Sequence, residues 1–410
     1  MKKLSLLAVL LCAAFAHSAA QELQFKPYGF LRSYFAYDSR VSSAGTGDLY
    51  YYMPLDENIV DGTDLNAASS FRFTALTSRL GLDILGYEID GYKFSGKFEG
   101  DFYAGLSGST GTAQFRLRQA FVTVSKNGRS WKVGQAWHPM AADLPDIFSL
   151  ESGAPFGPFS RTPLVQFDWK AGKAVTLTAA AIWQMQYTST GPNGASADYI
   201  KYGCTPEIYA GISLKSESGS MLKVGADVLS IKPRQVASNT LVSDRLTTWN
   251  AFVYGSANAG GLDLKSKITY ANDGSHFNMV GGYGVRAEDG KNWEYTATRN
   301  LSGWLSAAYR KCGRWVPQMM LGYTKLFGTP ESLATVDGGL KYWFKNNADS
   351  IDSMFRVQPE LMYNLGKLGL GAEYMLTGVM YGDKSDRIVA DGNLHMVLNH
   401  RVQLLFKYNF

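Results

Sequence analysis

Apolar and polar residues alternate with a period of two over much of this chain. Between Tyr92 and Phe102, the residues Tyr92, Phe94, Gly96, Phe98, Gly100 and Phe102 fall on one face. Lys93, Ser95, Lys97, Glu99 and Asp101 fall on the other. That is the pattern of a strand whose two faces meet different surroundings. Segments of the same kind run from Arg79 to Leu85, Val175 to Tyr187, Leu222 to Ile231, Leu262 to Tyr270, Phe355 to Tyr363, Leu368 to Tyr374 and Val402 to Phe410.

A two-sheet sandwich would alternate in the same way, so the connections must separate the two folds. Short polar or glycine-bearing turns lie at Glu88–Gly91, Lys126–Arg129, Ala171–Lys173, Glu217–Ser220, Asn258–Gly261, Lys311–Arg314 and Leu365–Lys367. Between them come long links: Ser39–Ser70, Ala104–Ala113, His138–Arg161, Thr188–Cys204, Lys232–Asp244, Ala271–Arg299, Lys325–Asp352 and Tyr381–Asn393. Short and long alternate throughout. Outer-membrane barrels sort their connections this way, with short periplasmic turns and long external loops. A sandwich has no reason to. The eight long and seven short connections predict an all-β fold: a transmembrane antiparallel up-and-down barrel of about sixteen strands.

The first twenty residues carry a different signal. Lys2 and Lys3 precede the apolar run Leu4 to Phe15, and Ser18 and Ala20 stand where a signal peptidase reads. This predicts a secretory leader over 1–20 and one barrel domain over 21–410. The run is too short to cross ~30 Å of hydrocarbon as a helix. Beyond Phe15 no apolar stretch approaches the ~20 residues of a spanning helix. A membrane protein of this composition must therefore be a closed sheet, which satisfies every backbone group in lipid. With 24 Tyr, 22 Phe, 9 Trp, 43 Gly and 18% charged residues, the chain suits strands joined by tight turns. The formal charge of +5, about +3 without Lys2 and Lys3, gives no case for nucleic acid.

The last strand ends in aromatics, with Val402, Leu404, Phe406, Tyr408 and Phe410 on one face. Such an end, here Tyr408 and Phe410, is the insertion signal that outer-membrane barrels present to the barrel-assembly machinery.

Two stretches carry a resemblance. Phe115-Arg116-Leu117-Arg118-Gln119-Ala120-Phe121 and Trp131-Lys132-Val133-Gly134-Gln135-Ala136-Trp137-His138-Pro139 resemble the strand 4 and strand 5 region of DcaP-like trimeric porins, within the Gram-negative general porin superfamily. Shorter echoes are Gly281-Gly282-Tyr283, Pro359-Glu360-Leu361 followed by Gly366-Lys367, and Asn399-His400-Arg401-Val402. The resemblance implies a sixteen-stranded homotrimer whose third external loop folds into the lumen. The loop count independently makes His138–Arg161 the third external loop. The other external loops show no family pattern, so solute preference transfers less well than fold.

A porin's chemistry lies at its narrowest section, where charged side chains set which ions pass. Strand parity turns Arg79, Lys97, Arg116, Arg118, Arg356 and Arg401 inward. The long loop carries Asp143, Asp146 and Glu151, with Pro139, Pro145, Pro155 and Pro158 stiffening its path. Folded inside, its carboxylates would face a basic wall, and the excess of arginine would favour anions. The plainer reading is that these charges satisfy one another in ion pairs; Arg116 and Arg118, two apart on one face beside the loop, favour the functional one.

Enzymatic constellations are thin. His138 has no second ligand at metal spacing. His395 and His400 fall on opposite faces of a strand and cannot share a metal. No nucleophile elbow or phosphate-cradling run is present. Neither a cofactor nor a metal is expected. Cys204 and Cys312 fall at opposite ends of a barrel, too far apart for the ~7 Å that a disulfide spans.

These features predict a Gram-negative outer-membrane porin that passes small hydrophilic solutes passively, with a preference for anions. Two other classes fit less of the sequence: a specific uptake channel for phosphate or oligosaccharide, and a surface adhesin or structural barrel. Tyr50-Tyr51-Tyr52, in the first long link, is the feature an adhesin would use; packing against a trimer neighbour would explain it as well.

Overall fold

The computed structural model describes residues 23–45, 50–103 and 113–410; the leader over 1–20 and most of the Ala104–Ala113 link lie outside them. Sixteen antiparallel strands form a closed barrel. They are β1 (Gln24–Asp38), β2 (Ser70–Thr74 and Arg79–Ile89), β3 (Tyr92–Tyr103), β4 (Gln114–Lys126), β5 (Arg129–Trp137), β6 (Arg161–Lys170), β7 (Val175–Ile182) and β8 (Glu207–Lys215). The second half comprises β9 (Met221–Ile231), β10 (Leu246–Ala259), β11 (Leu262–Asn272), β12 (Arg299–Tyr309), β13 (Trp315–Gly328), β14 (Ile351–Leu365), β15 (Leu368–Tyr381) and β16 (His395–Asn409).

Each strand pairs with its sequence neighbours, and β16 returns to β1 in register from Phe30↔Asn409 to Asp38↔Arg401. Closure leaves no row of unpaired backbone groups at an edge. The sheet has one break, inside β2, where Thr77 takes a left-handed φ of 72°. Both halves of β2 still pair with β1.

The tight turns follow from local chemistry. Asp90-Gly91 and Asn127-Gly128 have φ of 50° and 74°, and of 50° and 75°. Positive φ at both central residues suits the right-handed twist of the flanking strands, and Asn-Gly or Asp-Gly tolerates it best. The long loops gather at the other end and are named L1 (39–69), L3 (138–160), L4 (183–206), L6 (273–298) and L7 (329–350) for their order among the external links.

Polarity is inverted relative to a water-soluble protein. Leu31 and Phe71 are 60% and 69% exposed, while Arg356, Gln358, Asn399 and Arg401 are buried. Apolar side chains on the outside and polar ones within are what a lipid-facing wall around a wet lumen requires. Near the turn end, aromatic side chains pair across strands: Tyr87 with Phe94 at 5.2 Å, Trp131 with Phe167 at 4.8 Å and Trp315 with Tyr363 at 4.7 Å between ring centroids. Such a girdle marks the membrane–water boundary.

Two expectations need correction. The segment Val175 to Tyr187 is strand only to Ile182. Beyond it, the Gln184 side chain accepts a hydrogen bond from Ser189 N and donates one to Ser189 Oγ, both at 2.9 Å, which turns the chain into L4. Tyr50-Tyr51-Tyr52 is not a surface patch either. All three are buried: the Tyr50 ring lies 6.5 Å from Phe159, and Tyr51 covers two arginines of the wall. Cys204 is exposed in L4 and Cys312 in the turn after β12, and both are free thiols.

Candidate pore constriction

L3 carries backbone and acidic groups to strands on the far side of the barrel. Lys267 of β11, buried, donates to Met140 O at 2.8 Å and Asp143 O at 2.7 Å. Asp143 pairs with Lys223 of β9 at 2.7 Å. Asp146 pairs with Lys265 at 2.8 Å and Arg310 at 3.2 Å, and its amide donates to Ser306 Oγ. The loop then crosses to β14, where the Phe148 amide donates to the Glu360 carboxylate, and to β15, where Ser149 Oγ donates to Glu373. Tyr34 of β1 donates to Phe148 O at 3.0 Å. Its partners thus sit on six strands spread around the wall, all through side chains that point inward.

This overturns part of the expected field. Asp143 and Asp146 do not face Arg116 and Arg118; they are neutralised by Lys223, Lys265 and Arg310. Lys223 and Lys265 were legible as inward-facing cations on strand parity, as was Lys267, but parity alone does not say which wall the loop leans on.

The arginine wall pairs within itself. Arg116 makes a bidentate pair with Asp101 at 2.9 and 3.0 Å. Arg118 donates to Glu99 at 2.7 Å and to Asp101 at 2.8 Å. Arg79 lies 3.7 Å from Glu99. The alternation that turns Lys97 inward on β3 turns Glu99 and Asp101 inward as well, so the plainer ion-pair reading describes these contacts. Lys97 pairs with Asp83 at 2.6 Å and donates to Tyr28 OH at 3.0 Å.

Between this wall and L3 lies a cavity of about 320 Å³. Arg32, Arg79, Arg116, Arg118 and Arg161 line it, against the carboxylates Glu99 and Asp101. Arg161 was read only as a loop boundary. It is buried, with its guanidinium 4.6 Å from the Trp137 ring and 5.3 Å from Phe159, and neither terminal nitrogen has a hydrogen-bond partner. Thr77, the strained residue at the break in β2, lines the same cavity. Gln119 and Trp137 are shared with a second cavity of about 620 Å³, lined by Lys132, Lys170, Lys173, Lys215 and Lys223 with Asp168. Lys170 and Lys173 place that one toward the short-turn end.

Arg356 and Arg401 share the inward parity but not this cavity. Arg356 donates to Thr377 Oγ1 at 3.0 Å, to Ala154 O of L3 at 3.1 Å and to Tyr52 O of L1 at 2.8 Å. Arg401 pairs with Asp38 at 3.1 Å, across the β1–β16 seam. Tyr51 lies over both, 5.1 and 5.4 Å from the guanidinium carbons. Glu151 sits 3.8 Å from Arg356. Burial pushes the Glu151 carboxyl up to about 7, against the lowering effect of Arg356.

A closed sixteen-stranded wall, an apolar exterior and a charged, loop-narrowed interior define the porin fold. No family profile matches the chain, and no curated protein matches it in sequence. Solved structures do. The outer membrane channel DcaP of Acinetobacter baumannii superposes with a TM-score of 0.69 at 20% identity, over 96% of this chain and 99% of that one. An anion-selective porin from Comamonas acidovorans gives 0.58 at 12% identity, over 95% and 100%. OmpF of Salmonella typhi, in complex with daunomycin, gives 0.54 at 11% identity, over 94% and 97%.

Proposed function

We propose that this protein is a non-enzymatic outer-membrane porin, assembled as a homotrimer, through which small hydrophilic solutes diffuse with a preference for anions. The observation that carries the preference is the cavity beside L3, where five arginines meet two carboxylates. Five lysines and one aspartate continue the path below. Arginine keeps its charge at any physiological pH. Charge of one sign in a low-dielectric cleft raises the local concentration of counter-ions.

The test is the reversal potential of the purified channel in a planar bilayer under a potassium chloride gradient. A porin of this kind conducts steadily and reverses on the chloride side. Cation selectivity overturns the preference, and absence of steady current overturns the channel. A specific uptake channel is the second reading, favoured by the unpartnered guanidinium of Arg161. It requires the chloride current to saturate or to be blocked by inorganic phosphate.

A further inference from the structure

The outer surface of β8 to β10 changes character at its external rim. Ile208, Val228 and Trp249 point outward, and each is about half exposed. Above them the outward positions carry hydroxyls. Ser230 and Thr247 stand opposite each other across the β9–β10 ladder, their side-chain oxygens 3.0 Å apart. The ladder closes at Ile231↔Leu246. Lys232 and Arg245, the residues just beyond that pair, continue the outward series by alternation. Within four positions on each strand the wall passes from apolar groups to hydroxyls to cations.

Neutral groups hold Arg245 in place. Its Nε donates to Ser230 Oγ at 3.2 Å, and its Nη2 donates to Gly203 O and Thr205 Oγ1, both at 2.9 Å. Nη1 is left over. Gly203 ends the short helix α1 (Asp198–Gly203) of L4, which the Lys232 amide ties to β9 by donating to Tyr199 O at 2.9 Å. Lys201 of α1 pairs with Asp198 at 3.4 Å and adds no net charge. Among the described residues no carboxylate pairs with Arg245 or Lys232. Arg286, exposed on L6, has two such partners, Glu294 at 3.0 Å and Glu331 at 2.6 Å. Like charges opposite each other on neighbouring strands are unfavourable as they stand, and an anion between them removes the cost.

The height of the pair says which anion. Trp249 stacks on Tyr270 at 4.7 Å between ring centroids, and outward aromatics of this kind mark the membrane–water boundary. The Arg245 guanidinium reaches back to Ser230, whose ladder partner Thr247 lies two residues beyond Trp249. Two residues span roughly 7 Å along a strand tilted by about 40°, which puts the guanidinium about 5 Å above the rings. Lipid headgroups fill the ~5–7 Å outside the hydrocarbon.

We propose that Arg245 and Lys232 form a docking site on the outside of the barrel for a headgroup phosphate of an outer-leaflet lipid. Arg245 Nη1 and the Lys232 ammonium supply charge-assisted hydrogen bonds to the phosphate oxygens. The acyl chains then lie on Ile208, Val228 and Trp249. That apolar wall directly below the cations is what selects a lipid over a free phosphate ion. The bound lipid fastens α1 and the start of L4 to the membrane surface, on the side of the wall away from the lumen.

The experiment is native mass spectrometry of the purified barrel in detergent with added bisphosphorylated lipid A, and in parallel with the same lipid dephosphorylated. The wild type should retain at least one phosphorylated lipid per chain and lose the dephosphorylated one. A basic residue at an anionic lipid surface contributes about fivefold in affinity, so Arg245→Gln with Lys232→Gln should lower retention by about tenfold or more. Arg286→Gln, which removes an external arginine that has its own acids, should leave it unchanged. Equal retention by the folded double variant overturns the proposal, and so does an equal loss in Arg286→Gln. Displacement of the lipid by millimolar inorganic phosphate overturns it in favour of a site for free anions. A double variant that keeps the lipid but falls from trimer to monomer overturns it in favour of a contact between copies. If the double variant fails to fold, the wild-type comparison still decides: equal retention of phosphorylated and dephosphorylated lipid means that no phosphate is recognised.

Discussion

Two walls of the same lumen carry arginines at the same strand parity and use them differently. On β2 to β4, Arg79, Arg116 and Arg118 border a cavity, and their partners Glu99 and Asp101 come from within the wall. On β14 to β16, Arg356 and Arg401 are sealed under L1 and L3 and bind backbone carbonyls and the seam. A period of two determines which way a side chain points. Whether that side chain meets solvent or a loop is decided by chain tens or hundreds of residues away. In our proposal the first wall acts on passing ions, while the second holds loops in place.

The largest expected effect comes from breaking the second wall. Arg356→Met leaves Tyr52 O and Ala154 O without their donor, and Glu151 without its nearby cation. Removing one partner from a buried charged network costs about 3–5 kcal/mol. The urea midpoint of the purified barrel should fall accordingly, and single-channel conductance should rise as L1 and L3 lose a shared anchor. An unchanged midpoint would mean the two walls do not differ in kind.

Neutralising the first wall should act on selectivity instead. Replacing Arg116 and Arg118 by Gln removes two cations and uncovers Glu99 and Asp101, so the permeability ratio should shift toward cations by about tenfold, equivalent to ~1.4 kcal/mol. Adding Glu99→Gln and Asp101→Asn should return most of that shift, because the four charges balance as a set. Lys232→Gln, at the edge of an external loop, is the control and should change little. A reversal potential unmoved by the double substitution would remove these arginines from the filter.

The two walls also show why the fold was more legible than the site. Alternation and connection length report on local backbone, and the sixteen-strand count follows from them directly. The pairing of Arg116 with Asp101 was within reach too, since both lie inward on adjoining strands. Three things were not. Asp143 and Asp146 meet Lys223, Lys265 and Arg310 because L3 leans on β9 to β12, and no local pattern says so. Arg161 was hidden because it stands at the boundary of a loop. His138 finds Glu207 sixty-nine residues on, across chain that contains two strands and L4, so a search for partners at short spacing could not see it.

The titration of Glu151 sharpens the comparison on the anchoring side. Its folded value of about 7 stands above its ordinary 4.5, because burial disfavours the charged form. The protonated loop is therefore the better docked one. Its contribution is full below about pH 4.5 and is lost as pH rises through about 7. Amide exchange over 148–156, corrected for intrinsic rates, should be slower at pH 5 than at pH 8, and Glu151→Gln should flatten the difference. The same pH dependence in wild type and variant would assign it to another group.

The smallest effect on stability is expected at the seam where the two walls meet. The Phe410 amide donates to Gly29 O of β1 at 3.1 Å. Its ring lies over Gly29 so closely that a Cβ there would stand 2.5 Å from the ring. The terminal aromatic therefore does two jobs in one place: it covers the last turn of the β1–β16 seam, and in our reading it is the signal read by the assembly machinery. One hydrogen bond and a ring still about half exposed contribute only about 1–2 kcal/mol, so deleting Phe410 should leave a refolded barrel nearly as stable as wild type. In cells the same deletion should lower the amount of heat-modifiable barrel in the outer membrane several-fold, while the secreted chain accumulates unassembled. Gly29→Val separates the roles, because it displaces the ring from β1 but leaves the terminal sequence intact. If both variants assemble poorly to the same degree, seam packing explains the defect. If Gly29→Val assembles normally and the deletion does not, Phe410 acts as a signal before the seam closes. Normal assembly of the deletion would remove Phe410 from insertion altogether.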